Sequence, residues 1–306
     1  MRFGVSVPCF GAGVDAALVA QWTVAAESAG WDGFFLWDHL FAFDPGEIDV
    51  VDPWIALTAA ACATTRIRLG TMVSPLPRRR PLVVARQTVT LDRLSGGRLV
   101  LGVGTGALPF EWDYCGEETD HRRRGDMLDE HLHLLNRLWS GEPVRHEGRH
   151  YQVAGPDWSA VCYPPPLQQP RIPVWVGGSW PGTRPFARAA QWDGVVPMRV
   201  DGPWRVDDTT AVANRIRELR TSTSAFDIAV PGESGPHDPA RLDRYTQHAD
   251  AGATWWVEAV HPWRYGWQEG QNWPLASITH RCRALSGRFK ALTTQPPLCI
   301  VARPGT

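Results

Sequence analysis

Leu91-Asp92-Arg93-Leu94-Ser95-Gly96-Gly97-Arg98-Leu99-Val100-Leu101-Gly102-Val103-Gly104 is the stretch whose reading decides the fold. Leu91 and Leu94 continue an apolar stripe that Pro81 opens and Val84 shares, and Ser95-Gly96-Gly97 stops it, as helix ends require. Residues 98–103 then run almost without a polar side chain, and Gly104-Thr105-Gly106 ends the run. A strand that is apolar on both faces has to be covered on both faces, which is the condition of a parallel sheet wrapped by helices. The unit is therefore helix, tight stop, buried strand and glycine-rich end.

The same unit repeats outward in both directions. Upstream, strands are expected at residues 3–8, 33–37 and 67–73, with helices near 18–29 and 52–64. Downstream, strands at 173–176, 193–197, 226–230 and 253–260 alternate with helices near 184–191 and 209–220, one capped at Asp238-Pro239 and stopped by Gly252, and a last one near 275–285. A long helix near 121–139 precedes a break in the pattern. Residues of about 141–171 hold a hairpin-like stretch that turns at Glu147-Gly148, and the run Tyr163-Pro164-Pro165-Pro166. Alternation resumes afterwards, so the break is read as an insertion before strand five. Eight strand–helix units are the count of an α/β (β/α)8 TIM barrel. The expected organisation is one barrel domain over residues 1–292 and a Pro-rich tail, 293–306, that frays. A doubly wound open sheet is the alternative, but nothing marks a reversal of strand order.

Composition narrows the function classes. The chain has 306 residues, 43% hydrophobic and 21% charged, enough for a large core and too apolar for disorder. Thirty-one basic residues face thirty-two acidic ones, which argues against a nucleic-acid or membrane-surface binder. No apolar run reaches the length of a membrane span, and the start lacks a signal core, so a cytoplasmic location is expected. Cys9, Cys62, Cys115, Cys162, Cys282 and Cys299 are scattered without a Cys-x-x-Cys pair, and no metal site is expected. Tryptophan is over-represented, with sixteen against five tyrosines. Flat indole rings suit pockets for planar ligands as well as cores.

In such a barrel the chemistry sits at the C-terminal ends of the strands. Asp38-His39 follows strand two, and a carboxylate beside an imidazole can hold a proton donor or base in position. It can equally be a turn cap beside a structural histidine. Val176-Gly177-Gly178-Ser179 ends strand five, where successive N–H groups could form an anion nest for a phosphate. Gly104-Thr105-Gly106 permits close backbone approach and offers a hydroxyl. Arg78-Arg79-Arg80 and Arg122-Arg123-Arg124 read first as solvated charge, with recruitment of an anionic cofactor tail or substrate as the functional alternative. Zincin, P-loop and serine-hydrolase motifs are absent.

Several stretches together carry a resemblance. The opening stretch is joined by Trp31-Asp32-Gly33-Phe34-Phe35-Leu36-Trp37-Asp38-His39-Leu40, by Thr65-Arg66-Ile67-Arg68-Leu69-Gly70-Thr71, and by Leu138-Trp139-Ser140-Gly141-Glu142-Pro143 with the later Gly148 to Tyr151. Over residues 1 to about 265 the chain resembles the bacterial-luciferase-like (LLM class) flavin-dependent oxidoreductases, whose fold is the same barrel with an insertion before strand five. The resemblance implies a flavin, or the related 5-deazaflavin coenzyme F420, in the barrel mouth. Its ring would pack at the ends of strands two to four, against Met72, Val73 and Ser74, where the family often has a non-prolyl cis peptide. Its phosphate would sit near Gly177, Gly178 and Ser179.

Asp38-His39 and Gly104-Thr105-Gly106 are similar to the deazaflavin branch, whereas the flavin branch more often shows a Glu-His-His-like run at the first position. Sugar-phosphate dehydrogenases of the deazaflavin branch place a glutamate directly after Gly-Thr-Gly, where this chain has Ala107, and that departure puts a sugar phosphate in doubt. The expectation is hydride transfer between F420 and a small organic substrate. His39 would move the proton or touch the cofactor, Asp38 would orient His39 or touch the ring, and Thr105 would bond the ring. One alternative is a two-component monooxygenase using reduced FMN from a separate reductase. The other is a non-catalytic flavin-binding barrel. The resemblance also implies a homodimer. Trp37, Trp112, Trp158, Trp180, Trp263, Trp267 and Trp273 fall where they could wall the mouth for the ring and an apolar or aromatic substrate.

Overall fold

The computed structural model describes residues 1–42, 48–235, 238–268 and 271–284. In chain order the strands are β1 (Arg2–Val7), β2 (Gly33–Leu36), β3 (Arg68–Pro75) and β4 (Leu99–Gly104), then the short pair β5 (His146–Glu147) and β6 (Gln152–Val153), then β7 (Val174–Trp180), β8 (Gly194–Arg199), β9 (Asp227–Gly232) and β10 (Trp255–Ala259). All but β5 and β6 form one closed parallel barrel in the order β1-β10-β9-β8-β7-β4-β3-β2. Closure runs through β1 and β10, where Val5 pairs with Glu258, so the open-sheet alternative falls. β5 and β6 form the antiparallel hairpin expected in the insertion, which lies between the fourth and fifth barrel strands.

The helices are α1 (Ala16–Ala29), α2 (Pro53–Ala63), α3 (Pro81–Leu94), α4 (Phe110–Asp113), α5 (His121–Leu138), α6 (Arg184–Ala189), α7 (Val206–Leu219), α8 (Arg241–Asp250) and α9 (Leu275–Arg283). Their starts follow local chemistry. Asp15, Asp52 and Asp120 each accept hydrogen bonds from backbone N–H groups of the first turn. α7 begins earlier than the apolar pattern suggests, because the Asp208 carboxylate accepts from the Arg205 N–H and fixes the first turn. The tail 293–306 and the expected helix end at Leu285 lie outside the described residues.

The deciding stretch also staples the barrel. Gly96 and Gly97 take φ of +69° and +80°, a turn that favours glycine. The turn delivers Arg98, whose buried guanidinium donates to the carbonyls of Ala61, Thr64, Ile67 and Ser95. It thus joins the end of α2, the approach to β3 and the α3–β4 turn. Asp92, on α3, accepts from the N–H groups of Leu167 and Gln168 and pins the insertion.

Inside the barrel, Phe35, Trp175 and Trp255 stand 5.3–5.9 Å apart and close its lower half with Val100, Ala229 and Val257. Glycine makes their room. A Cβ at Gly33 would come within 2.7 Å of the Phe35 ring, and one at Gly194 within 2.5 Å of Trp175. Part of the tryptophan surplus is therefore barrel filling. Among the described residues, no helix is long and apolar enough to cross a membrane.

Candidate active site

Neighbouring barrel strands β2, β3, β4 and β7 bring His39, Met72–Val73, Gly104–Thr105 and Gly177–Gly178 side by side along the C-terminal rim. The Met72–Val73 peptide is cis, at one of the two positions expected. The β3–β4 register shifts between Thr71 and Ser74, so the chain bulges at Val73. A Cβ on Gly104 would meet the Val73 side chain at 2.7 Å, and one on Gly177 at 3.2 Å. These two glycines thus make space for Val73, while Met72 packs on the aromatic plug below.

The Asp38-His39 pair is not a dyad. Asp38 is buried, and its carboxylate accepts from Ser74 Oγ (2.5 Å), Arg78 Nη2 (3.2 Å) and Arg79 Nη2 (2.7 and 2.8 Å). The His39 imidazole takes no part in these bonds, and its side chain is 19% exposed where that of Asp38 is 1%. Asp38 therefore neither orients the ring of His39 nor lies open to a cofactor ring. The partner of His39 is Glu111, from α4: its Oε1 lies 3.3 Å from His39 Nδ1 and accepts from the Leu40 N–H at 2.6 Å. Glu111 Oε2 accepts from Arg78 Nη1 at 2.7 Å. Burial alone would raise the Glu111 carboxyl, but the bonds from His39 and Arg78 outweigh it and hold it down at about 2. Glu111 is thus ionised at neutral pH, and two guanidinium groups balance two buried carboxylates.

Arg78 and Arg79 are accordingly not solvated charge, since their side chains are 3% and 17% exposed. The second basic run splits. Arg122 and Arg123 are exposed, whereas Arg124 is buried with its Cζ 4.1 Å from the Trp112 ring centroid. Its Nε and Nη1 meet no hydrogen-bond partner among the described residues. Next to it, His121 Nε2 lies 3.3 Å from Thr105 Oγ1, and burial followed by the charges of Arg124 and Arg188 lowers the His121 imidazole. Gly106, at φ +84°, leaves the space that the Trp112 ring fills.

Gly177, Gly178 and Ser179 do not form the expected nest. They continue β7 as extended strand, paired with Val196, Pro197 and Met198 of β8. β4 stops pairing with β7 at Val176, so the edge of these three residues facing β4 has no ladder partner.

The aromatic wall is narrower than expected. Phe10 meets Trp37, His39, Trp263 and Trp273 edge-on at 5.9–6.4 Å, and Trp267 meets Trp273 at 5.1 Å. Trp37 and Trp263 lie parallel within 11°. Trp112 is buried beneath the arginines, Trp180 packs on Phe186, and Trp158 is bridged to Gly155 within the insertion. Sequence reasoning missed Glu111 altogether. Its one signal is a lone acid between Phe110 and Trp112, just beyond Gly-Thr-Gly.

Comparisons with known proteins agree with this layout. The chain is 34% identical over 201 residues to an F420-dependent glucose-6-phosphate dehydrogenase of Nakamurella multipartita, covering 64% of this chain and 56% of that protein. It is 36% identical over 178 residues to the like-named protein of Microbacterium testaceum, covering 55% and 49%. The chain thus spans about half the length of these curated relatives. Among solved structures it shares its fold with an F420-dependent secondary alcohol dehydrogenase bound to an F420–acetone adduct, at a TM-score of 0.70 and 17% identity over 85% of this chain and 94% of that one. It also shares it with the F420-dependent tetrahydromethanopterin reductase of Methanopyrus kandleri, at 0.67 and 18% over 92% and 97%. The sequence model described as luciferase-like monooxygenase matches residues 1–232, and the chain belongs to that family.

Proposed function

We propose that this protein is an oxidoreductase that transfers hydride between bound coenzyme F420 and a small organic substrate. The observation that carries the reading is Arg124, a buried guanidinium with two unpartnered nitrogens beside Thr105 and His121. The charges of Asp113, Glu118 and Asp120 act on this guanidinium, but neither Nε nor Nη1 is hydrogen-bonded among the described residues, so an anionic ligand would complete its bonding. A phosphate-bearing cofactor supplies one. The rim residues fit the rest of such a group. Met72 and Val73 offer an apolar floor, Gly104 and Gly177 carry no Cβ, and the β4-facing edge of Gly177 and Gly178 has no ladder partner. The deazaflavin branch is favoured by the names of the relatives quoted above and by the Asp38-His39 and Gly104-Thr105-Gly106 segments.

When bound, the deazaflavin supplies a hydride donor or acceptor. The chain's residues do the remaining work. His39 presents Nε2 to the mouth and takes or returns the proton of a substrate hydroxyl. Thr105 and the open β7 edge orient the cofactor, and Arg124 holds its phosphate. Phe10, Trp37, Trp263 and Trp273 exclude water around His39 and favour an apolar or aromatic substrate body. The test is turnover. With F420 and a panel of secondary and benzylic alcohols, loss of deazaflavin absorbance without oxygen consumption supports the reading. Oxygen consumption with reduced FMN, and no change in F420 with any alcohol, overturns it in favour of a two-component monooxygenase with a separate reductase as partner.

A further inference from the structure

The residue that aims His39 stands elsewhere in the chain. Glu111 lies on α4, and its carboxylate spans three groups: the His39 ring at Nδ1, the Leu40 N–H and the Arg78 guanidinium. An ionised carboxylate only accepts hydrogen bonds, so the ring nitrogen facing it must carry the proton. With Nδ1 protonated, Nε2 of the neutral ring is left as the acceptor, and among the described residues it has no partner in the protein. The other groups around the ring do not compete. The Cys9 thiol bonds the His39 carbonyl at 3.7 Å, His261 lies beyond Trp37, and Arg78 and Asp38 face each other behind the segment.

We infer that Glu111 is the positioning residue of the site, locking His39 in the Nδ1–H tautomer with Nε2 turned to the substrate. The inference rests on the proposed role of His39 as the proton carrier. It also accounts for Ala107. The loop after Gly-Thr-Gly does deliver a carboxylate, four residues further on, and spends it on the histidine instead of the mouth. Arg78 completes the device: it binds Glu111 and Asp38 together, so the histidine's anchor and the Ser74 segment beside the cis peptide belong to one rigid network.

The test reads the tautomer directly. The full chain labelled with ¹⁵N-histidine gives signals from ten histidines, and His39→Ala identifies the one that matters. Long-range ¹H–¹⁵N spectra of the wild type should show the proton on Nδ1 and a bare Nε2. In Glu111→Ala most of that preference should be lost, with the proton moving to Nε2 as in a free imidazole. If Glu111→Ala does not fold by circular dichroism, Glu111→Asp, which keeps the charge and withdraws it by one methylene, should lose at least half of the Nδ1–H population. A wild-type ring protonated on Nε2, or a folded variant that keeps the wild-type tautomer, overturns the inference. Neither spectrum depends on turnover. Full turnover in His39→Ala would instead remove His39 from the reaction, whatever the tautomer.

Discussion

Arg124 lies 4.1 Å over the ring of Trp112, and two of its guanidinium nitrogens meet nothing among the described residues. Arg78 lies 5.8 Å from the same ring. One indole therefore borders both a guanidinium hydrogen-bonded to protein carboxylates and one with two nitrogens not hydrogen-bonded among the described residues. Arg124→Ala should weaken binding of the phosphate-bearing cofactor by about 10- to 100-fold, the loss of a charge-assisted hydrogen bond of about 1.5–3 kcal/mol. It should leave unchanged the affinity for the same ring system lacking its phosphate. Paired titrations of variant and wild type measure the difference.

His39→Ala should lower turnover about 10²- to 10⁴-fold, the range for a positioned proton carrier, with cofactor affinity changed by less than about threefold. Steady-state rates beside an equilibrium titration separate the two effects. Unchanged turnover contradicts the role.

Asp38→Asn should act on stability. It leaves Arg78 and Arg79 short of their buried carboxylate, and breaking such a pair costs about 3–5 kcal/mol. Urea denaturation of the variant should show a lower midpoint than the wild type.

The pH dependence of stability has a sign that Glu111 sets. Its carboxyl is held at about 2 in the folded protein, below its ordinary 4.5. The unfolded chain therefore binds the proton first, and the stabilisation is fully present above pH 4.5 and is lost as pH falls towards 2. Glu111→Gln should be less stable than the wild type at pH 7, and the gap should close between pH 4.5 and 2. Urea midpoints across that range check it.

The barrel was legible because each of its strands is a short apolar run with its own stop. The Ser95-Gly96-Gly97 turn ahead of β4 and Gly252 ahead of β10 mark starts that no distant contact can override. β7 was read too short, because Gly177-Gly178 looks like a turn until β8 is seen to pair along it. At the site, His39, Thr105 and the Met72–Val73 bond were visible as strand-end residues of a recognisable family. Their partners were not. Arg79 meets Asp38 across 41 positions of sequence, and Arg78 meets Glu111 across 33. A basic run carries no mark of the carboxylates that will neutralise it. Arg124 differs from Arg122 and Arg123 only in the face of α5 it occupies. The tryptophans show the same limit. Trp175 and Trp255 fill the barrel, while Trp37, Trp263 and Trp273 border the mouth, and the distinction is one of direction, not composition.

Whether the mouth holds a deazaflavin is decided by titrating the purified chain with F420 and, separately, with FMN while following tryptophan fluorescence. Trp37, Trp263 and Trp273 should report the bound ring. F420 should quench saturably, and FMN should bind at least about tenfold more weakly, a difference of about 1.4 kcal/mol. Tight, saturable binding of FMN with no response to F420 would contradict it.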